Sequence, residues 1–73
     1  MIATQHYGMY TDAGNLAVDS IVEMARKHQL SWPTVRAMLS ALAQDERFEE
    51  ATDTAVREAV YETLFGNQHS VDR

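Results

Sequence analysis

The chain has 73 residues, of which 45% are hydrophobic and 23% are charged, and it contains no cysteine. A chain of this length has room for one domain with a modest hydrophobic core. Its apolar fraction is too high for a fully disordered protein. The lack of cysteine excludes disulfides and most zinc sites, so efficient helix packing or a partner must stabilise the fold.

The formal net charge is −5, and the two halves of the chain contribute to it unequally. Residues 1–36 carry three acidic and three basic side chains, whereas residues 37–73 carry eight acidic and three basic ones. A negative field repels phosphate backbones and favours encounter with basic partners. No segment approaches the roughly 20 apolar residues that cross a bilayer, and the first residues lack a signal-peptide pattern. We therefore expect a cytoplasmic protein with no membrane contact.

Residues 1–10 show no period, and we expect an irregular arm there. Helical spacing begins just after this arm, where Thr11, Asp12 or Asn15 can cap a helix. The apolar stripe of this helix consists of Val18, Ile21, Val22 and Ala25. The pattern predicts a first helix over residues 12–28.

Ser31 and Pro33 mark the start of a second helix, because serine is a preferred N-cap and proline is tolerated in the first turn. We expect Trp32 to cover the junction between the two helices. The apolar stripe of the second helix consists of Val35, Met38, Leu39 and Leu42. This spacing predicts a helix over residues 33–45.

A third helix is predicted over residues 53–65, after a break between about Gln44 and Thr52. Continuing the second helix would place acidic side chains in the core, whereas a new apolar stripe follows the break. That stripe consists of Val56, Ala59, Val60 and Leu64. Thr52 or Asp53 can cap this helix. The resulting fold class is all-α, a small three-helix bundle.

Gly66 suits the left-handed position that often follows the last turn of a helix. We therefore expect the third helix to end just before it. Residues 66–73 are then predicted to form a frayed tail.

Residues 21–42, with the sequence IVEMARKHQLSWPTVRAMLSAL, resemble a helix-turn-helix unit, the small DNA-binding motif whose second helix enters the major groove. Ala25 stands where the family has a small residue at the helix crossing. Leu30 matches the buried turn residue, and Val35 and Met38 match the residues that anchor the second helix.

The match departs from the family pattern at two positions. Gln29 replaces the usual turn glycine, so it would have to adopt a left-handed backbone conformation. His28 replaces a residue that is normally apolar. The resemblance implies DNA binding, with base contacts from Trp32, Arg36 and Ser40 and phosphate contacts from Arg26 and Lys27.

Five acidic residues lie close together in the second half of the chain: Asp45, Glu46, Glu49, Glu50 and Asp53. They have two interpretations, a solvated loop that complements the dipole of the third helix or a patch that faces a basic protein. Tyrosine is favoured at interface hot spots. The predicted partner-binding residues are Glu46, Glu49, Glu50, Asp53, Tyr7 and Tyr10.

Ala51, Ala55 and Ala59 repeat every four residues, which would let another helix approach closely. This repeat predicts either a homodimer seam or packing against the first helix.

Catalysis has little support in the sequence. The histidines His6, His28 and His69 are scattered and lack metal-ligand spacing. No cysteine nucleophile and no Gly-rich phosphate loop occurs. We expect no catalytic residue, no metal site, no cofactor and no enzymatic activity.

The predicted function is that of a small regulatory protein that binds a larger protein with a basic surface. Phage and mobile-element inhibitors of host machines such as RNA polymerase or CRISPR complexes provide an analogy of size and charge. The alternative is a helix-turn-helix transcription regulator that binds DNA.

Overall fold

A computed structural model describes the backbone of residues 6–71 and the side chains of residues 6–66. It confirms the all-α, three-helix prediction. The α-helices are α1, Asp12–His28, α2, Trp32–Leu42, and α3, Thr54–Val71, and a 3₁₀ helix, Glu46–Thr52, lies between α2 and α3.

Helix α1 has the predicted bounds, and Thr11 is its N-cap. The Thr11 side chain accepts a hydrogen bond from the Gly14 amide at 2.9 Å. At the other end, Gln29 has φ 53° and ψ 49°, which is the left-handed conformation that the turn required. The amide of Leu30 then donates to the carbonyl of Ala25 at 3.0 Å. This tight turn redirects the chain, so that only three residues separate α1 from α2.

Helix α2 begins one residue before the predicted start, and Ser31 is its N-cap in an extended conformation. The Ser31 hydroxyl bonds to the Thr34 hydroxyl at 3.1 Å and caps no backbone amide. The predicted end at residue 45 is wrong, because α2 stops at Leu42. Gln44, Asp45 and Glu46 follow Ala43, and a longer helix would turn charged side chains towards the core.

The predicted break between α2 and α3 exists, but it is an ordered 3₁₀ helix. Asp45 begins it, and the Asp45 carboxylate accepts a hydrogen bond from the Arg47 amide at 3.0 Å. Phe48 interrupts the helical geometry with φ −128° and ψ 24°. The kink allows Phe48 to pack against the core, and Ala51 is fully buried one turn later.

Helix α3 starts at Thr54, one residue later than predicted, directly after the extended Asp53. The predicted left-handed Gly66 and the predicted tail are wrong, since α3 continues through Gly66 to Val71. A glycine costs a helix only about 0.5–1 kcal/mol relative to alanine, and no proline follows to stop the helix. Residues 72 and 73 of the predicted tail lie outside the described residues.

The core combines the predicted apolar stripes of the three helices with side chains from the arm. Its buried residues are Tyr7, Met9, Val18, Val22, Ala25, Val35, Leu39, Ala51, Val56 and Val60. Residues 6–10 are irregular, as predicted, but they pack against α1. Residues 1–5 of the predicted arm lie outside the described part.

Asn15 attaches the arm to α1 and is itself only 2% exposed. Its Oδ1 atom accepts a hydrogen bond from the Tyr7 amide at 2.8 Å. Its Nδ2 atom donates to the carbonyls of Met9, at 3.2 Å, and Thr11, at 3.0 Å. Asn15 therefore joins the arm to α1. It was one of three candidate N-caps of the first helix, and Thr11 takes that role instead.

Candidate interaction surfaces

The 3₁₀ helix and its C-cap place four of the predicted partner-binding residues on one side of the bundle. We call this surface the acidic face, and it consists of Glu46, Glu49, Glu50 and Asp53. Glu46, Glu49 and Asp53 are exposed, and Glu50 is half-buried. No ion pair joins these four carboxylates to a basic side chain among residues 6–66. Their charge is therefore available to a partner.

Asp45 also belongs to the acidic run but not to the acidic face, because its charge is neutralised within the chain. The guanidinium of Arg47 lies 2.7 Å from the Asp45 carboxylate and 5.0 Å from the centre of the Phe48 ring. Hydrogen bonds from the Arg47 side chain and backbone lower the pKa of Asp45 to about 2. The same contact raises the pKa of Arg47. This pair belongs to the local structure of the 3₁₀ helix and adds no net charge to the acidic face.

Tyr10 lies at the edge of the acidic face. Its side chain is 89% exposed, and its amide donates to the Glu50 carboxylate at 3.4 Å across 40 residues of sequence. Tyrosine is enriched at protein interfaces, and their rims are polar and accessible to solvent. The structure thus brings together Tyr10 and Glu50, two predicted partner-binding residues that lie far apart in the sequence.

Tyr7, the other predicted tyrosine, is not on this surface. Its side chain is only 1% exposed, and its hydroxyl donates to the Asp19 carboxylate at 2.6 Å. Burial and the bond to Asp19 raise the pKa of the Tyr7 phenol well above its usual range. Tyr7 is a core residue, and its ring cannot contact a partner in this conformation.

The three residues predicted to contact DNA bases lie on or beside the exposed side of α2. Arg36 and Ser40 are exposed, whereas Trp32 is half-buried. The Trp32 ring packs edge-on against Tyr61, with centroids 5.2 Å apart, and against Phe65, at 6.4 Å. Trp32 therefore anchors α2 to α3, and its expected role over the junction between α1 and α2 stays a prediction.

Arg57 joins this region, although no motif in the sequence singled it out. Arg36 and Arg57 both line a groove of about 540 Å³ between α2 and α3, and both also line the adjoining cleft of about 280 Å³ that contains Ser40. The other residues of the groove are Trp32, Thr54, Glu58, Tyr61 and Glu62. Because Glu58 and Glu62 share the groove, its charge is mixed.

The predicted phosphate contacts lie elsewhere. The Arg26 guanidinium donates to the Thr63 carbonyl at 3.2 Å, which holds Arg26 against α3. Lys27 is exposed on α1 and lines a separate depression. Lys27 and Arg36 therefore line different clefts.

The three alanines of the predicted dimer seam do not form one surface. Ala51 belongs to the 3₁₀ helix and is fully buried, whereas Ala55 is exposed and Ala59 is half-buried on α3. A continuous seam through Ala51, Ala55 and Ala59 is therefore wrong.

Two further observations concern the described part of the chain. No group of three or more metal-binding side chains comes together there, and none of its helices combines the length and apolarity needed to cross a bilayer. Comparisons of the chain with protein-family models, curated proteins and solved structures find no match.

Proposed function

We propose that this chain is a non-catalytic regulatory protein of the cytoplasm that binds a basic surface of a larger protein through its acidic face and Tyr10. The observation that supports this proposal is the contact between the Tyr10 amide and Glu50. It holds the most exposed large hydrophobic residue of the described chain next to Glu50, one of the four residues of the acidic face.

The two parts of this surface have different physical roles. Unpaired carboxylates steer the approach of a basic partner and raise the association rate. An exposed aromatic ring gains its energy from burial on contact, and tyrosine is enriched among the residues that dominate binding energy. Binding through such a surface should weaken as salt increases, because the steering depends on long-range charge.

The proposed partner class is a protein that handles nucleic acid. Such proteins carry positively charged grooves that bind the phosphate backbone, and an acidic protein can occupy the same grooves. The size and charge of the chain match those of phage and mobile-element inhibitors that act on RNA polymerase or CRISPR-type complexes. This likeness supports the proposal by analogy of size and charge alone.

The test compares variants in an affinity pull-down from the natural host, with bound proteins identified by mass spectrometry. Tyr10→Ala and the double variant E46Q/E49Q should each lose the specific partner. The matched control is E58Q/E62Q, which removes the same charge from two exposed residues of α3. An unchanged partner list in the first two variants, or equal loss in the control, would contradict the proposal.

The second candidate function is DNA binding by the helix-turn-helix-like corner. The left-handed Gln29 and the exposed pair of Arg36 and Ser40 favour it, and Arg57 adds a basic side chain beside them. The acidic half of the chain opposes it, because it repels the phosphate backbone.

A fluorescence titration with duplex DNA tests this second candidate. If DNA is the ligand, the wild-type chain should bind at about 50 mM salt, and Arg36→Ala and Arg57→Ala should weaken binding. Arg47→Ala is the matched control, since Arg47 is already paired with Asp45. No binding of wild type to any duplex at this salt concentration removes the candidate.

A further inference from the structure

The outer side of α1 carries apolar side chains where a surface helix usually carries polar ones. Leu16 is 54% exposed and Met24 is 47% exposed, and with Tyr10 and Tyr61 they are the exposed large hydrophobic residues of the described chain. Leu16 and Met24 are eight residues apart, which places them on the same side of the helix, about 12 Å from each other. The small, exposed Ser20 lies midway between them.

The same side of α1 contains a shallow depression of about 400 Å³. It is lined by His28 and by four residues with helical spacing, Ser20, Glu23, Met24 and Lys27. These four stand at positions i, i+3, i+4 and i+7. In paired helices, four residues at this spacing form the hole that receives one side chain, the knob, of the facing helix.

We propose that this side of α1 binds a second copy of the chain, with the two α1 helices antiparallel and a twofold axis at Ser20. The exposed Leu16 stands four residues before Ser20, and the centre of the depression stands about four residues after it. A twofold rotation at Ser20 therefore places Leu16 of each copy in the depression of the other. Such an arrangement is isologous, the commonest symmetry of small oligomers.

The charges at the two ends of α1 support the antiparallel direction. Asp12 lies in the first turn, and Arg26, Lys27 and His28 lie in the last turn. In the antiparallel pair, Asp12 of each copy approaches Lys27 of the other, so that two identical ion pairs form. A parallel pair would place like charges together. Ser20 at the axis also lets the helices approach closely, since its side chain is small.

The interface is small, because it involves one helix from each copy. Stable interfaces bury more than about 1,000 Å², and a single helix pair lies below or near this limit. The dimer is therefore weak and depends on protein concentration. It does not rest on the function proposed above, since the side of α1 includes no residue of the acidic face.

A cysteine variant tests the position of the axis directly. The chain has no cysteine of its own, so Ser20→Cys introduces a single thiol. Helix axes about 8–10 Å apart bring facing Cα atoms within the roughly 4–7 Å that a disulfide spans. Under mild oxidation, S20C should form a disulfide-linked dimer much faster than S40C, whose thiol is equally unique and lies on the exposed side of α2. Equal rates for the two variants would overturn the proposal.

Sedimentation or light scattering over a range of concentrations tests the contact made by Leu16 and the ion pair between Asp12 and Lys27. Wild type should form dimers at high concentration, Leu16→Glu should remain monomeric, and Tyr10→Glu should behave as wild type. Asp12→Lys alone should weaken the dimer, and the double variant D12K/K27D should restore it. A wild-type chain that stays monomeric up to millimolar concentration, or an L16E variant that still forms dimers, would overturn the proposal. Circular dichroism of each variant checks that it is folded.

Discussion

Asn15 offers the sharpest test of the described fold, because its side chain forms hydrogen bonds with the backbone of the arm at both Tyr7 and Met9. Asn15→Ala removes the acceptor of the Tyr7 amide and one donor to the Met9 carbonyl. The Thr11 carbonyl is less affected, since the backbone N–H of residue 15 donates to it at 3.1 Å and remains in the variant. We therefore expect a loss of stability that comes mainly from the arm.

The size of this loss follows from the two bonds. A buried amide left without an acceptor costs about 1–3 kcal/mol, and the lost bond to the Met9 carbonyl adds about 0.5–1.5 kcal/mol. If the arm instead opens to water, the buried side chains of Tyr7 and Met9 lose roughly 1.5–3 kcal/mol each. The variant adopts the less costly state, so the expected loss is about 2–4 kcal/mol.

A loss of this size is large for so small a protein. Domains of 73 residues are stable by roughly 4–11 kcal/mol, and 1 kcal/mol corresponds to about 4–8 °C in the melting temperature. Urea unfolding gives the change in free energy, and hydrogen exchange of the Tyr7 amide reports the local effect. Ser20→Ala is the control, because it changes only an exposed residue of the same helix. A loss below about 0.5 kcal/mol, the usual range for surface changes, would refute the reasoning.

Two further predictions concern local contacts. Gly14→Ala should destabilise the fold by about 1–3 kcal/mol, although alanine normally favours a helix. The added Cβ would lie 2.8 Å from the Met9 methyl carbon and 3.1 Å from the Thr11 capping oxygen. Urea unfolding measures the change in stability, and a variant more stable than wild type would contradict the described packing of the arm. Arg47→Ala should raise the pKa of Asp45 from about 2 part of the way towards 3.8, because the side-chain bonds are lost while the backbone amide of residue 47 still donates to the carboxylate; NMR titration measures this. The Asp45 contribution to stability is present above about pH 4 and is lost as the pH falls towards 2, and an unchanged pKa would exclude the Arg47 side chain as a cause.

The bounds of α1 and the apolar stripes could be predicted because they depend on local spacing. Each stripe follows the helical period over three or more turns, so neighbouring residues carry the signal. The arm lacks such a signal. Tyr7 and Met9 are buried because Asn15 binds their backbone, and Asn15 has an equally good local interpretation as a helix cap. Sequence spacing cannot distinguish these two roles.

The ends of α2 and α3 were harder to predict for a related reason. Gly66 fits a left-handed cap, but a helix also tolerates an internal glycine at a small cost, and α3 continues through Gly66. In the acidic run, Phe48 decides the local structure. Its ring packs against the core, and the backbone kinks to place it there, so the segment is neither a loop nor a regular α-helix.

The candidate surfaces could be predicted by residue type and only partly by position. The acidic residues are adjacent in the sequence, so their common surface follows from chain proximity. The contact between Tyr10 and Glu50 spans 40 residues, and no periodic pattern records it. Arg57 is similar, since it joins Arg36 only because α2 and α3 are neighbours in the bundle.

The arm links the stability of the fold to the proposed function. The Asn15 side chain binds the backbone of Tyr7 and Met9, on either side of Gly8, and Tyr10 follows directly. These hydrogen bonds therefore also position Tyr10 next to Glu50. Asn15→Ala should therefore weaken partner binding even at temperatures where circular dichroism shows intact helices. Ser20→Ala should bind as wild type does. If N15A retains full partner binding while the Tyr7 amide exchanges freely, the arm contributes to the core and has no part in the interface.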